Sequence, residues 1–351
     1  MGTLATRSSL TSVDTTLAAN IDATQDYIPV ASTANFSTSV VAEIETTNEV
    51  VSFGTISENL FPYSQDFDNA YWVKSRSTVT ADNAVAPDGT TTAALITQAT
   101  VTSMGTVGKN GYSPLTSGAV YTYSVFVKYV TGSDIKFIVM QDYNLTSGGA
   151  INRTWINIET GAIGTSDSDH TVTTTDVGNG WFRFTVTITS GNTSGNFAFY
   201  RSNADGGNTA TVNDTYLMWG IQLDKASAAT TYLPTSSTAL AGLTTVTRGV
   251  NGTTAASASS GASIQQLPFA LGSLDLPLRL KGLSVSSDGT GAGRLTLCNN
   301  NGDTICDVDI PDTKLFDLDF GGGIFFPNGI FISNSINITA YTFYTDYWGI
   351  R

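Results

Sequence analysis

The chain has 351 residues, a formal net charge of −13, 13% charged residues and 10% aromatic residues. Apolar and aromatic side chains are too plentiful for disorder, and the Thr, Ser, Gly, Asn and Val content is wrong for helix bundles, which need Leu, Glu, Lys and Ala in quantity. The 16 basic residues are scattered, so no nucleic-acid surface is expected.

In chain order, residues 1–20 show no basic stretch followed by an apolar run. No secretory signal is expected, and synthesis in a cytoplasm follows. No run of about 18 apolar residues exists, so membrane insertion is not expected either. A short β segment ends near Glu58. Beyond it, "YTYSVFVKYV" (121–130) and "WFRFTVTITS" (181–190) alternate with period two, which predicts strands with one face inward. "DIKFIVMQDY" and "TYLMWGIQLD" read as strands buried on both faces. The clusters "TSGGA", "VGNG", "SGNTSG" and "ADGG" separate strands as turns. The pattern predicts an all-β chain of antiparallel sandwiches or jelly rolls. Composition shifts again around Pro234–Ser237 and Gln266–Pro268. Cys298 and Cys306 flank an Asn/Gly turn in "LTLCNNNGDTICDVDI". In a reducing compartment free thiols are expected, and no His or second Cys pair accompanies them to bind a metal.

"IDATQDYIPVASTANFSTSVVAEIETTNEVVSFGTIS" (21–57) is the first of three stretches that resemble domains of bacteriophage virion structural proteins. Residues 21–57 resemble the first half of a small β module of such proteins. "LTTVTRGVNGTTAASASSGASI" (243–264) resembles its second half, with Arg248, Gly249, Asn251, Gly252, Thr253, Ala255, Ala256, Gly261 and Ala262 in place and Ala258 where that module has a His. The separation of the halves implies a module split over 21–58 and 239–268, with 59–238 inserted at a surface turn. The insert, through "NLFPYSQDFDNAYWVKS", "AVAPDGTTTAALIT", "GAVYTYSVFVKY", "DVGNGWFRFTVT" and "YLMWGIQLDKASAATTYLPT", resembles jelly-roll carbohydrate-binding-like domains of phage fibres. Residues 269–351, with "LPLRLKGLSVSSDGTGAGRLTL" and "GGIFFPNGIFISNSINITAYTFYT", resemble a third β domain of phage proteins. Residues 1–20 are left as an anchoring segment.

No chemistry is written in a motif. His170, the single histidine, sits in polar "SDSDHTVTT" and reads as an exposed loop residue. No G-x-S-x-G, H-E-x-x-H or P-loop is present. Two carboxylates suffice for glycoside hydrolysis, but none here forms a distinguishable pair, and no catalytic residue is assigned. Trp72, Trp181 and Trp219 fall in the structural motifs, where core packing explains them. A sugar site needs a flat aromatic face beside Asn, Asp or Arg. Tyr112, Tyr143, Asn144, Arg153, Trp155, Tyr200 and Arg201 are the candidates, each with ordinary packing as its alternative. No cofactor is called for. Structural calcium is compatible with "FDN" (67–69), "PDG" (87–89) and Asp224, although no D-x-[DN]-x-[DN]-G loop exists and surface turns explain these residues.

The resemblance implies a non-enzymatic virion structural protein, a head fibre, tail fibre or decoration protein, serving host attachment or particle stabilisation. The alternatives are a dedicated glycan- or receptor-binding tail protein and, behind it, a polysaccharide depolymerase. The implied partners are other virion proteins and host-surface glycans, and the implied assembly is a homotrimer. The last segment adds a physical reason for self-assembly. Ile324, Phe325, Phe326, Ile330, Phe331, Ile332, Tyr341, Phe343, Tyr344, Tyr347 and Trp348 are many apolar side chains for the interior of one small domain.

Overall fold

The split module closes into a barrel. Its six strands, in spatial order, are Val13–Thr16, Ser263–Gln266, Val40–Ile44, Glu49–Asn59, Leu240–Val250 and Ile28–Val30. The two outermost strands also meet. Ala18 N–H donates to the Pro29 carbonyl at 3.0 Å, and Ala31 N–H to the Thr16 carbonyl at 2.8 Å. Closure leaves no open edge. Ile28, Ile44, Val51, Phe53, Leu243 and Ile264 fill the interior. These details come from a computed structural model. It describes residues 2–3, 13–33, 36, 40–44, 46–47, 49–99, 103–146, 149–250, 254–266, 269–271, 278–287, 292–298, 304–311, 316–326, 330–336 and 338–347.

One strand of this barrel corrects the reading of residues 1–20. Thr16 pairs with Ser263 and Val13 with Gln266, so the end of the supposed anchor is part of the barrel wall. Its partner lies some 250 residues away in sequence, beyond the reach of any local pattern. Ala258, in place of the module's usual His, exchanges two backbone hydrogen bonds with Ile21.

The second-half motif is explained by one buried ion pair. The Arg248 guanidinium meets Glu49 through two parallel bonds, Nε to Oε1 at 2.7 Å and Nη2 to Oε2 at 2.8 Å. It also donates to the carbonyls of Asp22 and Ala256. Glu49 accepts further bonds from the N–H groups of Gly249 and Ala256. Gly249 has φ +63°, a conformation that glycine adopts without a Cβ penalty. The network joins residues near 22 and 49 to residues near 248 and 256, which is what two separated half-modules require. Gly252, placed by the sequence in a tight Asn-Gly turn, lies outside the described residues.

The insert leaves and rejoins the barrel on neighbouring strands. Glu49–Asn59 and Leu240–Val250 are adjacent, and the hydroxyls of Thr55 and Thr244 are 2.8 Å apart. Ser57–Ala241 forms one compact unit, and Met1–Ile56 with Gly242–Arg351 forms the other. Deleting 59–238 and joining the ends with an Asn-Gly turn is expected to leave a folded, closed barrel. Circular dichroism with a cooperative melt checks this, and an unfolded product would count against it.

The insert is a jelly-roll sandwich of two six-stranded antiparallel sheets. The front sheet runs Ile163–Ser166, Ile151–Asn157, Phe137–Tyr143, Gly195–Ser202, Thr106–Tyr112 and Val73–Ser75. The back sheet runs Thr171–Gly178, Trp181–Thr189, Val120–Tyr129, Thr215–Asp224, Ala93–Gln98 and Ser77–Ala84. Between them lie Phe61, Trp72, Tyr123, Phe184, Phe197 and Phe199. The alternation in "WFRFTVTITS" puts Phe184, Val186 and Ile188 into this core. The opposite parity is not all solvent-facing, and in the strand from 121 the expected outward face is absent, since residues 121–127 are all buried. Trp181 joins Phe126, Trp219 and Leu217 in a second cluster, with Tyr232 packed against it. Asn59 ties the ends of the insert together, its Nδ2 donating to the carbonyls of Ile221 and Leu233 at 3.0 Å each.

The last domain pairs two four-stranded sheets around Leu280, Leu283, Val285, Leu295, Leu297 and Phe326. Gly2–Thr3 adds to the first of these sheets beside Ile338–Tyr347. Cys298 and Cys306 are not joined by a disulfide; Cys306 lies opposite Leu297, and Cys298 opposite Thr304. Of the apolar residues expected at an interface, Phe326 is core, whereas Phe325 is 49% exposed. The side chains of Ile330, Phe331, Ile332, Tyr341, Phe343, Tyr344, Tyr347 and Trp348 lie outside what the structure describes.

Candidate functional site

Alternation along the front sheet decides which side chains a ligand can reach. In Phe137–Tyr143, Ile138 and Met140 point into the core, so Val139, Gln141 and Tyr143 point outward. In Gly195–Ser202, Phe197 and Phe199 are core, which turns Asn196, Ala198 and Tyr200 outward. Register then sets the rows. Gln141 stands between Arg153 and Ala198, and Ala198 stands beside Gly108. Val139 stands between Trp155 and Tyr200. Tyr143 stands between Ile151 and Asn196.

The result is a shallow trough across the strands, in which Gln141 and Ala198 are each only 6% exposed and Val139 is covered. Gly108 and Ala198 form its floor. A side chain cannot replace Gly108, because its Cβ would lie 2.6 Å from the Phe197 carbonyl oxygen. Tyr200 stands on one side, with Tyr143 and Asn196 on the other. Tyr200 and Asn196 are four residues apart along one strand, so these walls stand roughly 13 Å apart. Arg153 and Gln141 close one end. Arg153 Nε donates to Gln141 Oε1 at 2.7 Å, and the guanidinium carbon lies 5.9 Å from the Tyr200 ring centre. Among the described residues, four large apolar side chains are exposed on this sheet, Val73 at 41%, Tyr143 at 42%, Ile151 at 55% and Ile163 at 46%.

The seven candidate residues divide. Tyr143, Arg153 and Tyr200 share this open face. Trp155 shares it but is covered, since it packs with Met104 and Val139 and its Nε1 donates to the Gly207 carbonyl at 3.0 Å. Asn144 sits at the end of its strand in a left-handed conformation, φ +60°, and its Nδ2 holds the Ser194 carbonyl. Tyr112 and Arg201 are buried and lie away from this face. Tyr112 packs edge-on against Phe61 at 5.2 Å and Phe197 at 5.7 Å, and its burial raises the phenol pKa. Arg201 has the parity of Phe197 and Phe199 and is fully buried. Its Nε donates to Gln98 Oε1, and its Nη2 to the Arg76 carbonyl and Ser77 Oγ. Burial lowers its pKa, partly offset by Tyr216. Gln141, Asn196 and the Gly108–Ala198 floor were not singled out from sequence, because only strand register brings them together.

His170 corrects a second expectation. Its side chain and that of Asp142 are both completely buried, 2.6 Å apart at Nε2 and Oδ2. Nδ1 lies 2.8 Å from Thr154 Oγ1, and Thr154 Oγ1 lies 2.8 Å from Ser166 Oγ. The order carboxylate, imidazole, hydroxyl is that of a nucleophilic triad. Here the hydroxyl belongs to a fully buried Thr154, so a substrate carbonyl has no approach to it. The network fixes strands of the front sheet to the turn at 167–170.

The calcium residues do not converge. Asp224 is buried and accepts from Gln222 Nε2 at 3.0 Å; burial raises its pKa against the bonds from Thr230 and Gln222 and the charge of Arg183. Asp88 caps its own turn, accepting from Thr90 N–H at 2.9 Å. Asp68 lines a hollow of about 320 Å³ with Asp66 and Asp82. Among the described residues no group of three His, Cys, Asp or Glu side chains is placed to hold a metal ion. A second hollow, of about 430 Å³, is lined by Ser117, Thr146, Asp169, Thr189 and Ser190.

The fold and face define the class: a modular all-β chain whose central unit is a β-sandwich with an open, aromatic-bearing sheet face. No protein-family model matches the chain, and no curated protein matches it in sequence. Solved structures similar to it include the enzymatically active domain of tailspike protein 4 of bacteriophage CBA120, at TM-score 0.32 and 12% identity, covering 48% of this chain and 21% of that one. A carbohydrate-binding module of the β-sandwich superfamily aligns at TM-score 0.28 and 11% identity, covering 60% and 85%. The N-terminal CBM22 tandem domain from Paenibacillus barcinonensis Xyn10C aligns at TM-score 0.32 and 11% identity, covering 85% and 92%. The chain thus spans about a fifth of the tailspike chain.

Proposed function

We propose that the chain is a non-enzymatic, glycan-binding structural protein of a phage particle, with the front-sheet trough as its sugar site. The observation that carries this is the trough itself. A pyranose ring presents an apolar C–H face and a rim of hydroxyls. Tyr200 and Tyr143 supply aromatic surface for the first, and Arg153, Gln141 and Asn196 supply hydrogen bonds for the second. An open face suits internal segments of a polysaccharide rather than a buried chain end. The three-part resemblance to virion proteins supports the placement on a particle, with virion proteins as partners and a trimer as the assembly.

A glycan array of bacterial surface polysaccharides tests the reading. The intact chain is expected to bind. The Tyr143→Ala, Tyr200→Ala double variant is expected to bind roughly tenfold more weakly or worse, the scale of losing central aromatic anchors, with an unchanged melting temperature. Shortening of any bound polysaccharide during the assay would overturn the non-enzymatic part.

A further inference from the structure

We infer that the glycan held by this face is acidic, a polysaccharide carrying carboxylates, and that Arg153 reads the charge; this rests on the reading of the trough as a glycan site. The chain carries 29 acidic against 16 basic residues, so its overall field repels polyanions. The trough departs from that average. The outward positions of its central strands are Val139, Gln141 and Tyr143, then Ile151, Arg153 and Trp155, then Asn196, Ala198 and Tyr200. No carboxylate stands among them, and one guanidinium does.

Arg153 is also less committed than Arg183, Arg201, Arg248 and Arg294, a state it shares with Arg76, whose Nε is held by the Met104 carbonyl. Arg248 is paired with Glu49, and Arg294 with Asp307. Arg183 donates to the Thr230 carbonyl and Ser124 Oγ, and Arg201 is fully buried. Arg153 enters no ion pair among the described residues. Its Nε is held by Gln141, and its flat group lies near the Tyr200 ring. Both contacts fix the orientation of the guanidinium and leave its two terminal nitrogens for a ligand. A planar fork held in this way matches a carboxylate through two parallel hydrogen bonds, which a neutral hydroxymethyl group cannot reproduce.

The test uses the full chain and paired polysaccharides. Polygalacturonate, alginate, hyaluronan and polysialic acid are each immobilised beside their carboxyl-reduced, neutral forms, together with neutral glucans. At least one carboxylated member is expected to bind roughly tenfold more tightly than its reduced partner. That preference should shrink as salt rises from about 0.05 M to about 0.5 M. Arg153→Gln should abolish the preference without moving the melting temperature, while Arg153→Lys should retain part of it. Equal binding of the paired forms, or binding of neutral glycans alone, would overturn the acidic specificity and leave the glycan site standing. Binding to no member of the panel would overturn both.

Discussion

Arg248→Ala is expected to destabilise the barrel by about 3–5 kcal/mol, the scale of removing one partner from a buried ion pair. The Glu49 side chain is fully buried, so the variant leaves a carboxylate without its cation and away from water. Scanning calorimetry should show the barrel transition lost or moved far down while the insert transition stays in place, the two units being treated as separate transitions. Acid supplies a second arm. Burial raises the Glu49 pKa, but the bonds from Arg248, Ala256 and Gly249 outweigh it, so the folded value is lowered. A lowered carboxylate contributes stability that is present above the unfolded value of about 4.3 and is lost as pH falls through the folded value. Wild-type barrel should therefore weaken below about pH 4, and Arg248→Ala should be weak already at neutral pH. A barrel transition in Arg248→Ala that matches wild type at neutral pH would contradict the buried pair.

The second large effect belongs to His170→Ala. It removes the closer hydrogen-bond partner of a fully buried Asp142, which keeps Asn152 Nδ2 at 3.5 Å, and leaves Thr154 without its imidazole contact. The expected cost is about 1–3 kcal/mol, the scale of leaving a buried polar group unsatisfied, this time in the insert. For a unit of that size it corresponds to a melting temperature lower by roughly 2–12 °C. Adding Asp142→Asn to His170→Ala should recover part of the loss, since a neutral amide is cheaper to bury than a carboxylate. An unchanged insert transition in the single variant would show that the histidine and the carboxylate do not form this buried contact.

Much of the fold was legible in sequence, and the failures have physical causes. Period-two alternation located the strands at 121–130 and 181–190, and Phe184, Val186 and Ile188 face the core as that pattern requires. What alternation cannot supply is which parity faces inward when a polar residue takes an inward position. Arg201 continues the inward series of Phe197 and Phe199, and its four hydrogen bonds make that tolerable. Read alone, it pointed outward beside Tyr200. His170 failed for a related reason. Its neighbours Ser168 and Asp169 are exposed as the polar context suggests, but the side chain turns inward to a carboxylate 28 residues earlier. The trough escaped notice because Gly108, Ala198 and Gln141 come from three strands and become neighbours only through register. The motif around Arg248 was recognisable as a pattern, while its reason, the pair with Glu49, lay in the other half of the module.

The most direct test of the glycan site is a crystal structure of the full chain with a bound oligosaccharide taken from the array. A sugar ring is expected against Tyr200, with Arg153, Gln141 or Asn196 within hydrogen-bonding distance of its polar groups. A sugar seated instead in the hollow beside Ser117 and Asp169, with the front-sheet face empty, would contradict the assignment of the trough.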